Sequence, residues 1–252
     1  MTVIDQTIAA STILGAVTRV LTTQTAAITE AARIYVDAID AGGIIQAFGT
    51  GHSRGFAMEV AGRAGGLVPA NMLSVKDVVM YGDWSPADIL TPDAERNPQT
   101  AHAVLDLAEL HPADAFVIAS NSGGNGATVE MALEAGRRGH KVIAVTSLDH
   151  SRQITSRHPS GSRLFEVADV VIDNGSVFGD AEVDIPEVGA AVPTSAITAN
   201  LIAEMISAEV CRIMLERGER PPILVSANVP GGDEHNDAIR ARYGTRLRVG
   251  EP

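Results

Sequence analysis

Apolar residues in this chain form short runs that alternate with longer amphipathic stretches. The short runs are predicted to be buried strands, and they are Ile44–Phe48, Leu67–Leu73, Phe116–Ala119, Lys141–Thr146 and Val170–Ile172. Helical periodicity between them predicts helices, including one after the first strand that ends near Ala64 and one from about Thr100 to Leu110. The clearest is Thr128–Arg138, with Gly139 at its end. Strands that alternate with helices are joined by right-handed crossovers. The pattern therefore predicts an α/β fold, with a mostly parallel five-stranded sheet between two layers of helices.

Two helical stretches lie outside this alternation. Residues 4–41 carry apolar positions at mostly helical spacing and predict one or two helices, and Ser195–Glu216 carries an apolar stripe. The other connections are predicted to be irregular, and they are 76–98, 147–162, the acidic loop Asp180–Glu187 and the Gly-rich tail Asn228–His235. Because no repeat or linker divides the chain, residues 1–252 are expected to form one domain. Its parts are a helical extension (1–41), a core (42–217) and a C-terminal tail (218–252).

Composition narrows the class of partner. Of 252 residues, 45% are hydrophobic but only 4% are aromatic, and the net charge is −12. The charge argues against nucleic acid and anionic membranes, and the lack of aromatic residues argues against base stacking. The single cysteine, Cys211, excludes an intramolecular disulfide. The N-terminus lacks the features of a secretory signal, and no apolar segment approaches the ~20 residues of a membrane span. A cytoplasmic protein is expected.

The most informative loop follows the strand Phe116–Ala119. Its sequence is Ser120-Asn121-Ser122-Gly123-Gly124-Asn125, and a helix comes directly after it. At such a junction, free backbone N–H groups and the positive end of the helix dipole are available. Small side chains let an anion approach these groups. We therefore predict that this loop binds a phosphate group.

A second loop of this kind, Gly49-Thr50-Gly51-His52-Ser53, follows the first predicted strand. It does not match the dinucleotide-binding fingerprint G-x-G-x-x-G, because Arg54 stands where the third glycine is required. No ribose-binding acid follows at the expected distance either. The glycines could simply permit a tight turn, but a turn does not explain the hydroxyl of Ser53. Because the carboxyl ends of parallel strands share one edge, Ser53 is expected on the same rim as Ser120 and Ser122.

Four motifs occur in the order found in the SIS (sugar isomerase) domain, which this sequence resembles. They are the glycine-rich loop ending in Ser53, then Ser120-Asn121-Ser122-Gly123, Thr146-Ser147 and Thr194-Ser195. The resemblance covers residues 42–217, and the N-terminal helices resemble those of stand-alone phosphoheptose isomerases. It implies a three-layer α/β/α sandwich of the flavodoxin-like type and a phosphorylated sugar as ligand. It also implies a homodimer or homotetramer with sites near the subunit boundaries.

The resemblance also implies which residues contact the substrate. Carried over by position, the phosphate and sugar contacts are Gly51, Ser53, Ser120, Asn121, Ser122, Gly123 and Asn125, with Ser147 and Ser195 as further candidates. The family commonly has threonine where this chain has Asn125, whose amide can also bond a phosphate oxygen. N-capping of the next helix is the alternative role for each serine. Arg54 and Arg63 are candidates for neutralising phosphate charge.

Aldose–ketose isomerisation needs one group that moves a proton between C1 and C2 and another that shuttles the oxygen-bound proton. The resemblance places a basic glutamate at Glu59, which could instead form an ordinary helix ion pair with Arg63. For the second group we favour His235 in the Gly-rich tail, with His52 as its competitor. The remaining histidines are predicted to be surface residues, and they are His102, His111, His140, His150 and His158.

Neither a metal nor another cofactor is expected. The chain has no H-E-x-x-H motif, cysteine cluster or EF-hand spacing. The acidic residues of 180–187 are interpreted as a solvated loop. A Schiff-base mechanism would depend on Lys76 and is disfavoured, since Lys141 begins a strand at the end away from the ligand loops.

Two alternatives to an isomerase remain open at this point. The first is a non-catalytic phosphosugar sensor, which would use the same phosphate loop and act through a protein partner. The second is a SIS-type lyase such as the muramic-acid phosphate etherases, whose threonine- and glycine-rich methionine motif is not visible here. Convergence of Glu59 and His235 in a dimer would favour catalysis over sensing.

Overall fold

A computed structural model describes residues 4–248, with a parallel sheet at its centre. The strands run in the spatial order β2-β1-β3-β4-β5. They are β1 (Ile45–Gly49), β2 (Ala70–Leu73), β3 (Ala115–Ala119), β4 (Lys141–Thr146) and β5 (Val170–Asp173). All neighbouring pairs are parallel. The predicted five-stranded sheet is confirmed.

Helices connect these strands and extend the chain at both ends. They are α1 (Gln6–Thr23), α2 (Thr25–Asp40), α3 (Arg54–Val60), α4 (Asp77–Met80), α5 (Pro86–Ile89), α6 (Asp93–Arg96), α7 (Gln99–Asp106), α8 (Gly126–Arg137), α9 (Leu148–Gln153), α10 (Leu164–Val167), α11 (Ser195–Glu216) and α12 (Gly232–Arg240). Short 3-10 turns occur at Gly51–Ser53 and Gly244–Arg246. Within residues 4–248, no helix is both long enough and apolar enough to cross a membrane.

Both faces of the sheet are buried, which produces three layers. Successive residues of a strand point to opposite faces. In β3, Val117 and Ala119 pack into a core with residues of α1, α2, α3 and α11. Phe116 and Ile118 pack on the other face with residues of α7 and α8. The predicted α/β/α sandwich with N-terminal helices is therefore confirmed.

The strand order creates a crevice between β1 and β3. The chain leaves β1 into α3, on the face that α11 also covers, and leaves β3 into α8, on the opposite face. The loops after these adjacent strands therefore diverge. Gly49 lies opposite Ala119 in the register, so both loops begin at the same height of the sheet. Ligands of open parallel sheets bind at such a switch point, beyond the carboxyl ends of the strands.

Two helices end earlier than their periodicity predicts. The helix after β1 ends at Val60 instead of near Ala64, because Ala61 is extended and Gly62 has a φ of +84°. The helix predicted to reach Leu110 ends at Asp106. In contrast, the bounds predicted for the long C-terminal helix, Ser195–Glu216, are those of α11.

The acidic segment 180–187 is not the solvated loop that its charges suggested. It forms the first strand of an antiparallel hairpin, whose strands are β6 (Ala181–Ile185) and β7 (Gly189–Pro193). Asp180 accepts hydrogen bonds from the backbone N–H groups of Thr194 (3.1 Å) and Ser195 (2.8 Å). These N–H groups lie at the start of α11, where a carboxylate is favoured by the helix dipole. The prediction was wrong because two of the carboxylates have partners within the fold.

Glu182 is the second of these carboxylates. Its Oε1 accepts hydrogen bonds from the Thr194 hydroxyl (2.8 Å) and from the Arg19 guanidinium (2.5 Å). Arg19 belongs to α1, so the hairpin joins the first helix to the start of α11.

The Gly-rich tail is more ordered than predicted. Ile223 pairs with Leu67 in an antiparallel bridge ahead of β2. The segment that follows contains α12, which includes His235. Asn236 of this helix holds the Val225 backbone through two hydrogen bonds, of 2.9 and 2.8 Å. The tail is therefore packed against the β2 edge of the sheet.

Candidate functional site

A small cleft lies at the switch point between β1 and β3. Its polar lining comes from four separate segments and consists of His52, Ser53, Ser120, Asn121, Asn174 and Ser195. Phe56, Val145 and Ala199 form an apolar part of the cleft wall. Five of the polar residues were predicted from the sequence to contact substrate or to act in catalysis. The structure thus brings loops that are distant in sequence into one polar cleft.

The loop after β3 turns tightly around Gly123. Gly123 has a φ of +61°, and a Cβ at this position would lie 3.0 Å from the Thr146 hydroxyl and 3.1 Å from the Ser151 hydroxyl. Glycine is therefore required there. The Gly123 N–H donates to Ser120 Oγ (3.1 Å), which closes the turn. The loop leads directly into the N-terminus of the twelve-residue helix α8.

Asn125 and Ser122 complete this loop outside the lining of the cleft. Asn125 is the N-cap residue of α8, but its side chain makes no cap hydrogen bond. Its Oδ1 instead accepts from the Arg157 guanidinium (2.7 Å). Ser122 is half-buried. Arg157 therefore brings a positive charge to the predicted phosphate loop, which is notable in a chain of net charge −12.

Asn121 joins three of the loops at this edge of the sheet. Its Oδ1 accepts from Asn174 Nδ2 (3.0 Å) and from the Ser176 hydroxyl (2.7 Å), both in the loop after β5. Its backbone oxygen accepts from the Ser147 N–H (3.1 Å), in the loop after β4. Asn121 was predicted as a substrate contact, and it lines the cleft while it also holds these loops together.

The loop after β1 makes a turn so tight that its first residue must be glycine. A Cβ on Gly49 would lie 2.3 Å from the Ser53 carbonyl oxygen. Gly51 has a φ of +55° at the start of the 3-10 turn. This turn places the side chains of His52 and Ser53 in the cleft. The predicted position of Ser53 on the same rim as Ser120 is therefore observed.

Ser147 caps the start of α9, as the capping alternative proposed, whereas the hydroxyl of Ser195, the first residue of α11, donates to a carboxylate instead of accepting from the helix. Ser147 is fully buried, accepts from the His150 N–H (3.0 Å) and donates to the Ser176 carbonyl (2.6 Å). It does not line the cleft. Ser195 does line it, and its hydroxyl donates to Asp180 Oδ2 (2.6 Å).

A second cleft, of about 200 Å³, lies on the other side of the Gly49–Gly51 turn. It is lined by this turn, by residues 74–76 after β2 and by parts of the 89–95 segment. Arg54 and Lys76 contribute cationic groups, and Glu95 contributes a carboxylate that accepts from the Thr50 hydroxyl (3.3 Å). Arg54, predicted to neutralise phosphate, therefore faces this second cleft.

The three catalytic candidates occupy different places. His52 is exposed and lines the cleft. Glu59 lies on α3, six residues after Ser53, and forms an ion pair with Arg63 as the simpler alternative anticipated. His235 contacts the Ile223 carbonyl (3.0 Å), beyond the amino end of β2. Within one chain, His235 and the cleft are thus at opposite ends of the sheet.

Two of the histidines predicted to be surface residues are buried, so that prediction was wrong for them. His140 packs against the Phe116 ring, and its Nδ1 lies 2.9 Å from the Asp114 carbonyl. His158 is 9% exposed, and its Nε2 lies 2.6 Å from Glu130 Oε2. A single polar residue between polar neighbours gives no periodic signal, so its burial was not visible in the sequence.

Glu130, a residue of α8, is the centre of a charged network. Burial would raise its pKa, but hydrogen bonds from His158 and Arg137 hold it below its usual range. His102 Nε2 also lies 3.0 Å from Glu130 Oε1. This network anchors the 154–163 segment, which contains Arg157, to the helix that follows the predicted phosphate loop.

One group of side chains within residues 4–248 has the spacing of a metal site, namely His102, Glu130 and Glu134. It fits a metal poorly. The Arg137 guanidinium pairs with both carboxylates, and Arg138 pairs with Glu134 (2.8 Å). Since these cations already neutralise the carboxylates, the group is better explained as an ion-pair network that joins α7 to α8.

Sequence reasoning missed Asn174 and Arg157. Asn174 lies just after the last predicted strand, and Arg157 lies in a polar stretch without periodicity. The signal for Asn174 was its position at the carboxyl end of a strand. No comparable signal existed for Arg157, because its contact with Asn125 depends on how the 154–163 segment folds back.

Comparison with known proteins agrees with this site and fold. A model of the SIS domain family matches residues 10–147. A UPF0309 protein of Geobacillus kaustophilus is 38% identical over 221 residues, which cover 87% of this chain and 86% of the relative. A UPF0309 protein of Streptomyces coelicolor is 40% identical over 218 residues, which cover 86% of each chain.

Solved structures show the same fold. A phosphoheptose isomerase from Francisella tularensis superposes with a TM-score of 0.53 at 18% identity, over 84% of this chain and 100% of that one. The phosphoheptose isomerase of Neisseria gonorrhoeae gives a TM-score of 0.53 at 18% identity, over 81% and 98%. At this identity the likeness concerns the fold alone. With the family match and the curated relatives, it confirms the resemblance, and the chain belongs to the SIS domain family and groups with the UPF0309 proteins.

Proposed function

We propose that this protein binds a phosphorylated sugar in the cleft at the β1–β3 switch point and interconverts its aldose and ketose forms. The observation that carries the proposal is the convergence of Ser53 and Ser120 beside the N-terminus of α8. Hydroxyl groups, backbone N–H groups and the helix dipole together favour a phosphate. The resemblance to phosphoheptose isomerases in fold supports this choice of ligand.

The chemistry is assigned to two groups near this cradle. The Glu59 carboxylate takes the proton from C2 of the aldose, and the electron pair forms the C1–C2 double bond of an enediol while O1 gains a proton. Glu59 then returns its proton to C1 as O2 loses its own. His52, which lines the cleft, shuttles the oxygen-bound proton. Glu59 follows Ser53 by six residues, about 9 Å along a helix axis, so phosphate and reacting carbons are held apart.

Several other expectations from the sequence remain predictions. His235 could reach a cleft only in a neighbouring subunit, so its role depends on the predicted homodimer or homotetramer. The cytoplasmic location, the independence from any cofactor and the absence of nucleic-acid partners are likewise predictions. The same holds for the single domain and its division at residues 41 and 217.

The test uses the full chain and a panel of sugars from trioses to heptoses, each with and without phosphate. Thermal denaturation identifies the sugars that stabilise the protein, and NMR in deuterated water follows exchange of their C2 proton. We expect a phosphosugar to stabilise the protein and to exchange. Stabilisation by no phosphosugar would refute the ligand, and stabilisation without exchange would refute the isomerase.

Variants separate binding from chemistry. Glu59→Gln should retain stabilisation by the phosphosugar and lose exchange by at least ~100-fold, since it removes the base. The matched control is Glu30→Gln, which removes a carboxylate that pairs with an arginine (Arg33, 3.1 Å) on α2. The control should exchange at the normal rate.

A non-catalytic phosphosugar sensor is the second candidate. The observation in its favour is the ion pair of Glu59 with Arg63, which could make Glu59 a structural residue. A sensor would be stabilised by the same phosphosugar without C2 exchange, and Glu59→Gln would change neither property.

A further inference from the structure

The segment that follows α9 folds back over the loop after β3. The Arg157 N–H donates to the Gly124 carbonyl (2.8 Å), and the Leu164 N–H donates to the Gly123 carbonyl (2.8 Å). Ile154 lies so close to the loop that a Cβ on Gly124 would be 2.3 Å from its Cδ1 atom. Main-chain contacts therefore fix the backbone at position 157 relative to the loop.

The Arg157 side chain reaches the same loop at Asn125. Its Nη1 atom donates to Asn125 Oδ1 at 2.7 Å, and Asn125 is only 8% exposed. Because a guanidinium has donors and no acceptor, only the oxygen of the amide can face it. The contact thus determines the orientation of the amide, with Oδ1 towards Arg157 and Nδ2 on the other side. Within residues 4–248, Nδ2 has no acceptor.

This orientation is unusual for the N-cap residue of a helix, which Asn125 is for α8. The side-chain oxygen of an N-cap asparagine normally accepts from the N–H group two or three residues later, here that of Ala127 or Thr128. Asn125 makes no such bond. The hydroxyl of Thr128, in the same first turn, is also buried without a hydrogen-bond partner among the described residues. Polar groups at the start of α8 are thus left unsatisfied by the protein, as expected where a ligand binds.

We propose that Arg157 is a positioning residue that holds the Asn125 amide oxygen away from the start of α8. The N–H groups of this turn then stay open for the phosphate, and Asn125 Nδ2 becomes a further donor to it. Without Arg157, the amide would be free to rotate and to cap α8 with its own oxygen, which would place an acceptor where the phosphate binds. This role rests on the phosphosugar ligand proposed above, and it identifies the residue that keeps the anion site open.

A double-mutant cycle with inorganic phosphate as the probe tests this role. Thermal denaturation of the full chain is followed while phosphate is titrated at constant ionic strength. We expect Arg157→Ala to need about 10-fold more phosphate than the wild type for the same stabilisation. In the Asn125→Ala background, the same substitution should change this requirement by less than about 2-fold, because Arg157 acts through the amide. An equal loss in both backgrounds would show that the guanidinium acts on phosphate directly and would overturn the proposal.

The stability of the ligand-free protein gives a readout of opposite sign. Removal of an arginine with a purely structural role would lower the midpoint of urea denaturation. Arg157→Ala instead frees the Asn125 oxygen to cap α8, so we expect the midpoint to stay constant or to rise while phosphate binding weakens. A variant that loses stability and affinity together would refute the positioning role. Arg157→Lys keeps a cationic donor for Oδ1 and should bind phosphate within about 3-fold of the wild type; binding as weak as that of Arg157→Ala would also count against the proposal.

The matched control is Arg152→Ala, which removes the same charge from an exposed position on α9. It should leave phosphate binding unchanged, and a loss equal to that of Arg157→Ala would show that net charge alone matters. If neither phosphate nor any phosphosugar stabilises the wild type, the proposed ligand fails, and the role of Arg157 in binding fails with it. If the wild type binds but the cycle shows no coupling, only the role of Arg157 fails.

Discussion

The Asn121 side-chain oxygen accepts a hydrogen bond from Asn174 Nδ2 at 3.0 Å, which joins the loop after β3 to the loop after β5. Both residues line the cleft. These strands are not neighbours, since β4 lies between them. The amide pair therefore fixes the width of the cleft across three strands, and the loop after β3 is held by contacts that no single loop could supply.

This bridge allows ligand binding to be separated from folding. Asn121→Asp keeps an oxygen that can accept from Asn174 and Ser176, but it adds a negative charge at the phosphate loop. We expect most of the stability to remain and stabilisation by the phosphosugar to fall at least ~10-fold in apparent affinity, since like charges repel in a partly buried site. Thermal denaturation with and without the phosphosugar measures both. The same substitution at the exposed Asn228 should leave binding unchanged, and binding by the Asn121 variant at wild-type affinity would contradict the site.

Gly123→Ala tests the shape of the phosphate loop. A φ of +61° costs an alanine about 1–2 kcal/mol, and its Cβ would lie 3.0 Å from the Thr146 hydroxyl. We expect the free energy of unfolding to fall by about that amount or more in urea denaturation. Gly136→Ala is the matched control, because it lies in α8 with open space around its Cβ and should be neutral or stabilising. Equal effects of both variants would contradict the interpretation.

Asp180→Asn tests the hairpin as the cap of α11. Asparagine tolerates the φ of +74° at this position, so the change removes charge with little added strain. We expect a loss of about 1 kcal/mol in the free energy of unfolding, because the start of α11 loses a charged acceptor. Chemical denaturation measures this loss. Asp184→Asn, on the exposed part of β6, should change stability by less than about 0.5 kcal/mol, and a larger effect there than at Asp180 would refute the capping role.

Glu130→Gln tests the buried charged network through its pH dependence. The pKa of Glu130 is lowered in the folded protein, so its contribution is complete above the ordinary carboxyl value of about 4.3 and disappears as the pH falls through the folded value. We expect the variant to be about 1–3 kcal/mol less stable near neutral pH and the difference from wild type to shrink in acid.

Denaturation curves at several pH values between neutrality and acid check this expectation. Glu216→Gln, which removes an exposed partner of Arg212, is the control and should cost less than about 1 kcal/mol. A difference between wild type and Glu130→Gln that stays constant with pH would contradict the assigned cause.

Comparison of sequence and structure shows which sequence features were sufficient to predict the strands and turns. Strands buried on both faces appear as continuous apolar runs, so the positions of β1, β3 and β4 could be read directly. The glycines at 49 and 123 marked tight turns for a steric reason that holds in any context. In contrast, the hairpin at 181–193 was missed because carboxylates in a strand resemble a solvated loop. Asp180 and Glu182 become explicable only once the start of α11 and Arg19 lie beside them.

By itself, the sequence determined the layered α/β fold, the loops that form the site and the serines that stand on them. These features follow from local physics: the period of apolar residues, the backbone freedom of glycine and the free N–H groups at a helix start. Only the tertiary structure decided that Asn121 bridges to Asn174, that Arg157 contacts the loop after β3 and that Arg63 approaches Glu204. Each of these contacts joins residues far apart in sequence, and their meeting depends on the packing of strands and helices, which leaves no periodic trace along the chain.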